Sequence, residues 1–451
     1  MKTFQDFQAS GDKASFILQA IQEFKGTSKY NNAIEAQAYY REENTKIKNR
    51  LKWLYDSLGR QVVDKFKANN KIANTLFPKI IKQEVSYLLA NGLMTEEKVK
   101  EGLGKKFDIK LKRCGTAALV DGVGWGYCFI NSKGQFDIDI WRGTEFIPLE
   151  DERTGQVRAG IRFWQIDTDK PMWIELYEED GKTEYKCDKN KIEITESKKN
   201  YIIKTVKDAI EEREVGQEGF SRLPIFPLYA NDIRTSRFTF ALKQKIDLYD
   251  IVYSDFSNNF EDNEDIYWAL KNYNGEAGDF LSDLKQYKMI NVDEDGDATP
   301  HTIEVPYQAR ETILNMLNKS IYSDAMGLDT SVLAGGSLTN VAIKANMMDL
   351  DLKTDEFETG CLDFCDNIIQ LYLEYIKKPN EKYSINFVRN RLVDETEVIN
   401  NIINSVSASI MSLDTALRSH PMIDDVKLEK QLIDEEIADK FKLEEPKEEV
   451  V

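Results

Sequence analysis

The sequence predicts a mainly α-helical chain with β-rich subdomains, which is an α+β fold class. Apolar residues recur at intervals of three and four over residues 1 to about 110 and again from 236 onward, as on one face of a helix. Short β-rich runs separated by turns fill about 116–197. At 451 residues the chain exceeds what one compact core usually holds, so two or more domains are expected.

The amino-terminal part is predicted to be a helical frame. Apolar stripes predict helices at 13–24, 33–40, 46–66, 80–89 and 95–103, with a further candidate at 110–121. Thr95 is expected to cap the helix that it begins. Gly122, Gly124 and Gly126 open onto a strand rather than a helix, so this triplet favours a tight turn over a dinucleotide-binding loop.

The stretch from Arg234 to Pro379 organises the rest of the chain. Its pattern predicts a helix at 236–259, an αβ insert whose first strand starts at Ile266, and a second helix after Pro306. No proline or glycine interrupts the first helix, and a proline is common at a helix start. Two helices flanking a small insert could line a channel side by side.

A glycine-rich loop at 327–340 connects the second helix to a very long one. Asp329 is its one charged residue, and two interpretations stay open: a flexible connector, or a mobile loop presented to a ligand or a channel. The helix predicted at 341–378 would span roughly 57 Å at about 1.5 Å per residue. Because this is far longer than a usual helix, we expect it to join two layers of an assembly.

The carboxyl-terminal part is predicted to contain a strand at 383–387, followed by helices at 395–410, 413–419 and 424–440. From Asp424 to Val451 there are eleven acidic residues against five lysines. This excess of like charge predicts that the last ten residues are frayed or disordered.

Composition excludes several classes of protein. The net charge of −18 argues against simple sequence-independent DNA binding, although an acidic surface would let DNA slide past without sticking. No apolar run has the length of a membrane span, and the amino terminus lacks a signal-peptide core, so we expect a cytoplasmic site of synthesis. The five scattered cysteines predict core packing rather than a disulfide framework.

Motifs for catalysis, cofactors and metals fail on their spacing. The nearest nucleotide-binding loop, at 99–106, begins with a valine and ends with a lysine where the motif needs glycine and serine or threonine. The acidic residues at 293–304 follow a calcium-loop spacing, but Ala298 stands where that loop requires glycine. His301 and His420 have no partner motif nearby. The sequence therefore predicts no enzyme activity, no cofactor and no bound metal.

Five stretches, in order, carry a resemblance to a known family. They are Lys82–Leu89; Asp121–Gly126 with Glu145–Pro148; Pro224–Asn231 with Ile246–Asp250 and Ser254-Asp255; Leu270–Gly275; and Leu338–Lys344 with Leu350–Lys353. Over about residues 35–380 the chain resembles the portal proteins of tailed bacteriophages, of the type found in long-tailed phages of Gram-positive hosts.

The resemblance implies a non-enzymatic, ring-shaped homo-oligomer, most often of about twelve subunits, at one capsid vertex. Double-stranded DNA would be packaged and ejected through its channel without sequence specificity. The implied partners are a terminase ATPase, head-tail connector or adaptor proteins, and capsid and scaffolding proteins, with no membrane. The implied location is the virion, with the host cytoplasm during assembly.

The resemblance also implies a division of the chain into portal-type wing, stem, clip and crown. In chain order these are a wing at 1–233, a first stem helix at 234–259, a clip at 260–305, a second stem helix at 306–326, a tunnel loop at 327–340, a long wing helix at 341–379, and a crown at 380–451.

Site residues follow from this division. The expected DNA-facing residues of the tunnel loop are Gly327, Asp329, Thr330, Ser331, Gly335, Gly336, Ser337, Thr339 and Asn340. The expected partner contacts of the clip are Tyr273, Asn274, Gly275 and Asp279. Lys243, Lys245 and Lys344 are candidates for phosphate contacts in the channel, and equally for surface lysines held in salt bridges.

Two other classes of function stay open from sequence. One is a structural adaptor or scaffold of a virion that forms no conduit, and the other is an acidic metal-dependent enzyme with carboxylates on long helices. Particle images would separate a ring with an axial hole from a solid or open oligomer. Metal analysis of the purified protein would test the enzyme.

Overall fold

A computed structural model describes residues 2–55, 58–64, 67–189, 191–207, 212–262, 267–271, 297–301, 307–330, 340–391, 395–423 and 426–443. Helices and strands are both abundant in these residues, which confirms the α+β fold class. The chain divides into two compact units, Met1–Asp329 with Asp349–Arg389, and Thr330–Met348 with Asn390–Val451.

The described helices are numbered in chain order from the amino terminus. They are α1 (Phe4–Ala9), α2 (Lys13–Lys25), α3 (Ser28–Tyr40), α4 (Thr45–Lys48), α5 (Leu76–Leu89), α6 (Glu97–Leu103), α7 (Phe107–Asp121), α8 (Phe240–Asp262), α9 (Tyr307–Asp324), α10 (Asn340–Tyr375), α11 (Glu395–Ser407), α12 (Leu413–Ser419) and α13 (Val426–Leu443).

The described strands form antiparallel sheets. They are β1 (Trp53–Tyr55), β2 (Gln61–Val63), β3 (Val123–Ile130), β4 (Phe136–Arg142), β5 (Phe146–Glu150), β6 (Val157–Trp164), β7 (Met172–Glu178), β8 (Gly181–Asp188), β9 (Lys191–Lys199), β10 (Ile202–Lys207), β11 (Glu212–Glu218), β12 (Ile225–Tyr229), β13 (Tyr267–Lys271) and β14 (Asp297–His301). A five-stranded meander runs from β5 to β9, a three-stranded sheet has the order β12-β3-β4, and the rest are two-stranded pairs.

The amino-terminal helices cover the five-stranded sheet. Phe16 and Ile17 of α2 are buried in one cluster with Ile161 and Ile174 of the sheet. The Asp12 side chain caps α2 by accepting from two backbone N–H groups of its first turn. Burial of this apolar face makes the main contribution to the stability of so short a helix.

The main core is built around the long helix α10. It holds buried side chains of α5, α7, α8, α10 and the three-stranded sheet. Gly126 and Gly360 let these elements approach closely, because a Cβ at Gly126 would lie 2.6 Å from the Phe364 ring and one at Gly360 would lie 2.4 Å from the Tyr229 carbonyl oxygen. Gly122 ends α7 at a φ of 92°, which confirms the tight turn into β3.

Some predicted elements differ from the structure. The helix predicted at 46–66 is wrong: α4 ends at Lys48, and β1 pairs with β2 as a hairpin instead. Gly59 adopts a φ of 74° between the two strands, and Val62 and Val63 are β-branched residues that favour strands. The apolar spacing at 51–58 therefore mimicked a helical stripe.

Three smaller predictions also need correction. The cap of α6 is Glu96, with no side-chain hydrogen bond to the helix, so Thr95 does not cap it. The strand predicted at 383–387 is reduced to a single bridge between Asn386 and Met94. The β-rich part does not end at 197 but continues through β10 and β11.

Two further predictions are confirmed, the packing of the cysteines in the core and the carboxyl-terminal helices. All five cysteines are buried and none is in a disulfide. Among the described residues, no helix combines the length and apolarity that crossing a membrane requires. In the second unit, helices α11, α12 and α13 occupy the predicted places, and Ser412 caps α12 through its hydroxyl.

Candidate functional site

The two predicted stem helices, α8 and α9, pack against each other as an antiparallel pair. Near one end, the rings of Phe256, Phe260 and Tyr307 have centroids 4.9–5.7 Å apart. Near the other end, Lys245 of α8 donates to the Ser320 hydroxyl at 2.6 Å and forms an ion pair with Asp324. Since α9 starts beside the end of α8 and ends beside its start, the chain returns along the path by which it came.

The β13–β14 pair belongs to the insert between these helices. Tyr267 pairs with His301 and Lys271 with Asp297, so the two described strands of the insert run antiparallel. This agrees with the strand predicted from Ile266. The expected clip contacts Tyr273, Asn274, Gly275 and Asp279 lie outside the described residues.

A buried polar stripe on α8 fixes the helix to the segment at 44–74. The Asp250 carboxylate accepts from the Asn74 backbone N–H at 2.8 Å and from the Asn44 side chain at 2.5 Å. One turn later, the Ser254 hydroxyl accepts from the Ile72 N–H at 3.0 Å. Asp250 and Ser254 are almost fully buried, and burial raises the pKa of Asp250 above its ordinary value. These bonds satisfy backbone N–H groups of Ile72 and Asn74, which lie outside any helix or strand.

The first residues of the predicted tunnel loop are anchored. The Gln83 side chain of α5 donates to the Leu328 carbonyl and accepts from the Leu328 N–H, both at 2.9 Å. The Asn318 amide donates to the Asp329 carboxylate at 3.2 Å. We call Gln83 and Leu328 the loop anchor. It holds the backbone in place at the point where the loop begins.

The turn that ends α9 directs the chain to Leu328. Met326 takes a left-handed φ of 49°, and the Gly327 N–H donates to the Tyr322 carbonyl at 2.8 Å. This is the pattern of a helix end that satisfies its last carbonyl groups. The Lys353 ammonium of α10 donates to another carbonyl of this turn, that of Ala325, at 3.0 Å.

Lys353 belongs to a buried ionic cluster, which we define as Glu84, Arg237 and Lys353. Glu84 lies 3.1 Å from the Lys353 ammonium and 3.0 Å from the Arg237 guanidinium. Arg237 also pairs with the exposed Glu356 at 3.3 Å. Burial lowers the pKa of Lys353, and the charge on Glu84 opposes that shift. The cluster joins α5, α10 and the chain just before α8.

The expected DNA-facing residues are only partly visible. Gly327, Asp329 and Thr330 follow α9, and Asn340 is the first residue of α10. Ser331, Gly335, Gly336, Ser337 and Thr339 lie outside the described residues, as does the side chain of Lys344. The structure therefore brings Gly327 and Asp329 together with the loop anchor and leaves the rest of the loop as a prediction.

The candidate channel lysines of α8 are both engaged in this chain. Lys243 lies 2.8 Å from Asp247 and 3.4 Å from Glu35. Lys245 pairs with Asp324, as described above. Among the described residues there is also no group of three His, Cys, Asp or Glu side chains placed to hold a metal ion.

Sequence reasoning missed the loop anchor and the ionic cluster. The spacing of Asp349 and Lys353 would suit an ion pair one turn apart on the same helix, but Lys353 turns inward to Glu84. The sequence did indicate that these residues matter, because Gln83, Glu84 and Lys353 lie within stretches that carry the resemblance. Nothing in the local pattern shows that these stretches meet in space.

The chain is similar to several known proteins. A family model described as "Phage portal protein, SPP1 Gp6-like" matches residues 25–442. The chain is 25% identical over 420 residues to the portal protein of Bacillus phage SPP1, covering 88% of this chain and 82% of that relative. It is 28% identical over 407 residues to the portal protein of Clostridium phage phiCD119, covering 82% and 85%. A chain of the solved structure "Virion of native gene transfer agent (GTA) particle" aligns with a TM-score of 0.42 at 10% identity, covering 75% of this chain and 86% of that one.

Proposed function

The chain belongs to the SPP1 Gp6-like family of phage portal proteins, and from this premise we propose that it forms a ring-shaped channel at one capsid vertex. Double-stranded DNA passes through the channel during packaging and ejection. The ring contains about twelve copies related by a closed rotation. The family match confirms the resemblance that the sequence motifs carry.

The observation that carries this proposal is the antiparallel α8–α9 pair. Its helices contain 23 and 18 residues, so they extend about 35 and 27 Å at 1.5 Å per residue. The pair connects the β13–β14 insert to the anchored start of the loop at 327–340. Repeated around an axis, such pairs would make a wall whose loops line the opening.

The charge of the chain suits a conduit. Each copy carries a net charge of −18, and a strongly acidic ring repels phosphate, so DNA moves through without lasting contacts. Lys243 and Lys245 are neutralised by carboxylates within the chain. DNA contact by these two lysines, and by Lys344, would have to compete with such pairs.

The insert at 260–305 and the outer surfaces of the ring provide the docking platform of the proposed function. Terminase and the head-tail connector proteins bind at the insert, with Tyr273, Asn274, Gly275 and Asp279 among the contacts. Capsid and scaffolding proteins bind the ring during assembly in the host cytoplasm, and the ring then remains in the virion.

Electron microscopy of the purified chain tests the proposal. We expect rings with an axial hole wide enough for duplex DNA. A solid or open oligomer would instead support a structural adaptor or scaffold. A chain that stays single both in solution and in the virus would contradict the conduit.

A further inference from the structure

The β1–β2 hairpin exposes large apolar side chains. Trp53, Tyr55 and Leu58 are 53%, 74% and 73% exposed, respectively. Leu51, Val62 and Val63 are exposed as well. We call residues 51–55 and 58–64 the arm. So many exposed apolar side chains on one short element are typical of a surface that another molecule covers.

The arm is held firmly at its base. Arg50 lies 2.9 Å from Asp255 of α8, and the Lys71 ammonium donates to the Lys48 carbonyl at 2.8 Å across the two sides of the base. The Asn70 N–H donates to the Asn258 side chain at 2.6 Å. The arm is therefore presented from α8 in a set direction.

The arm is a short two-stranded hairpin. In the described residues, β1 and β2 form a sheet of their own, with three pairs of residues in register. An isolated two-stranded hairpin is marginal in water. A cover on the arm would bury the apolar side chains and stabilise the hairpin.

The charge of the segment at 50–71, which contains the arm and its basic flanks, points to one kind of cover. Residues 50–71 contain six lysines and arginines against two aspartates, a net charge of +4 in a chain whose total is −18. A second copy of the same chain offers the acidic surface that complements this segment. A ring also places a second copy beside every first one.

We propose that the arm docks on the neighbouring copy of the chain and holds adjacent subunits of the ring together. The inference rests on the proposed function, because it takes the neighbour from the ring. Trp53, Tyr55 and Leu58 supply the apolar contact, and the basic flanks orient the arm on the acidic neighbour. Aromatic anchors of this kind commonly contribute most of the binding energy of an interface.

Site-specific photo-crosslinking tests the docking on the assembled protein. p-Benzoyl-phenylalanine replaces Tyr55 in one variant and Ile166, which is 83% exposed, in a control. We expect irradiated rings to give a covalent dimer from position 55 and much less from position 166. Rings that give no dimer from position 55 would contradict the docking of the arm but leave the proposed ring unaffected. A crosslink to added double-stranded DNA in place of the dimer would also overturn it, and would assign the basic arm to nucleic acid.

A second variant measures the strength of the contact. Trp53→Ser with Leu58→Ser should raise the protein concentration at which half of the chains are in rings by at least about tenfold. Ile166→Ser with Ile194→Ser, two other exposed positions, serves as the matched control. Unchanged assembly of the arm variant overturns the inference, whereas a wild type that never forms rings overturns the proposed function itself. Circular dichroism confirms that the variant chains are folded.

Discussion

The ammonium of Lys353 lies 3.1 Å from a carboxylate oxygen of Glu84, and both side chains are almost completely shielded from water. Lys353 also holds the Ala325 carbonyl at the end of α9. The pair therefore links the long helix to α5 and to the turn before the predicted tunnel loop. A buried pair of this kind adds little net stability over apolar residues, but breaking it leaves an uncompensated charge.

Replacing Glu84 should be costly for this reason. We expect Glu84→Gln to lower the free energy of unfolding by about 3 kcal/mol, because Lys353 and Arg237 both lose their buried partner. Denaturant titration measures the loss. Adding Lys353→Met should recover part of the lost free energy of unfolding, because this removes one of the two buried charges that lack a partner.

The matched control for this substitution is Glu193→Gln, which removes an exposed pair with Lys191. We expect no measurable shift, because exposed ion pairs contribute little. If Glu84→Gln unfolded at the same denaturant concentration as the wild type, the cluster would not hold α5 and α10 together as described.

The loop anchor predicts a local effect on hydrogen exchange. Gln83→Leu removes both bonds to Leu328, so the Leu328 amide should exchange roughly tenfold faster, equivalent to about 1.4 kcal/mol. Lys82→Ala, at the exposed neighbouring position, should leave that amide unchanged. Equal exchange rates in the Gln83 variant and the wild type would show that the loop is held by other contacts.

The order of elements could be predicted from sequence because each depends on local pattern. The apolar stripes of α2, α5, α8 and α10 are periodic, and Pro379 lies just beyond the end of α10. The contacts of the candidate site depend on residues far apart in sequence. Gln83 meets Leu328 across 245 positions, and no local pattern encodes such a meeting.

The wrong helix at 46–66 and the polar residues on the buried face of α8 have a common physical cause. At 51–58, apolar residues at helical spacing belong to the arm, where Leu51 and Leu58 are exposed. On α8, Asp250 and Ser254 are buried, which the apolar stripe of this helix does not indicate. Periodicity reports which residues are apolar, but it does not report which surfaces another segment or another chain will cover.

Asp121 predicts a dependence of stability on pH. Burial raises the pKa of its carboxyl from 3.8 to about 7, although Arg142, Gln37 and the Gly143 N–H favour the charged form. Between these values the unfolded chain loses its proton and the folded chain keeps it. This carboxyl therefore lowers stability as pH rises from about 4 to 7, by up to about 4 kcal/mol. Above pH 7 its contribution is constant.

The comparison with Asp121→Asn isolates this one group. The free energy of unfolding of the wild type minus that of the variant should fall from pH 4 to pH 7 and then level off. Urea titrations at each pH measure the difference, in which the other titrating groups cancel. A difference that rises over the same range would mean that Arg142 holds the carboxyl ionised in the folded chain.

We predict that shortening the loop at 327–340 would impair DNA packaging without impairing ring assembly. Deleting Gly335 and Gly336 leaves the α8–α9 pair, the loop anchor and the arm intact, so we expect rings of normal appearance by electron microscopy. Leu328 is held by Gln83 and α10 begins at Asn340, so neither end can lengthen the loop. The shortened segment should therefore extend less far toward DNA. Packaging, measured as nuclease-protected DNA, should then fall.

Deleting Thr168 and Asp169 from the exposed turn between β6 and β7 should leave packaging unchanged. Normal amounts of protected DNA with the glycine deletion would mean that the loop does not act on the DNA during packaging.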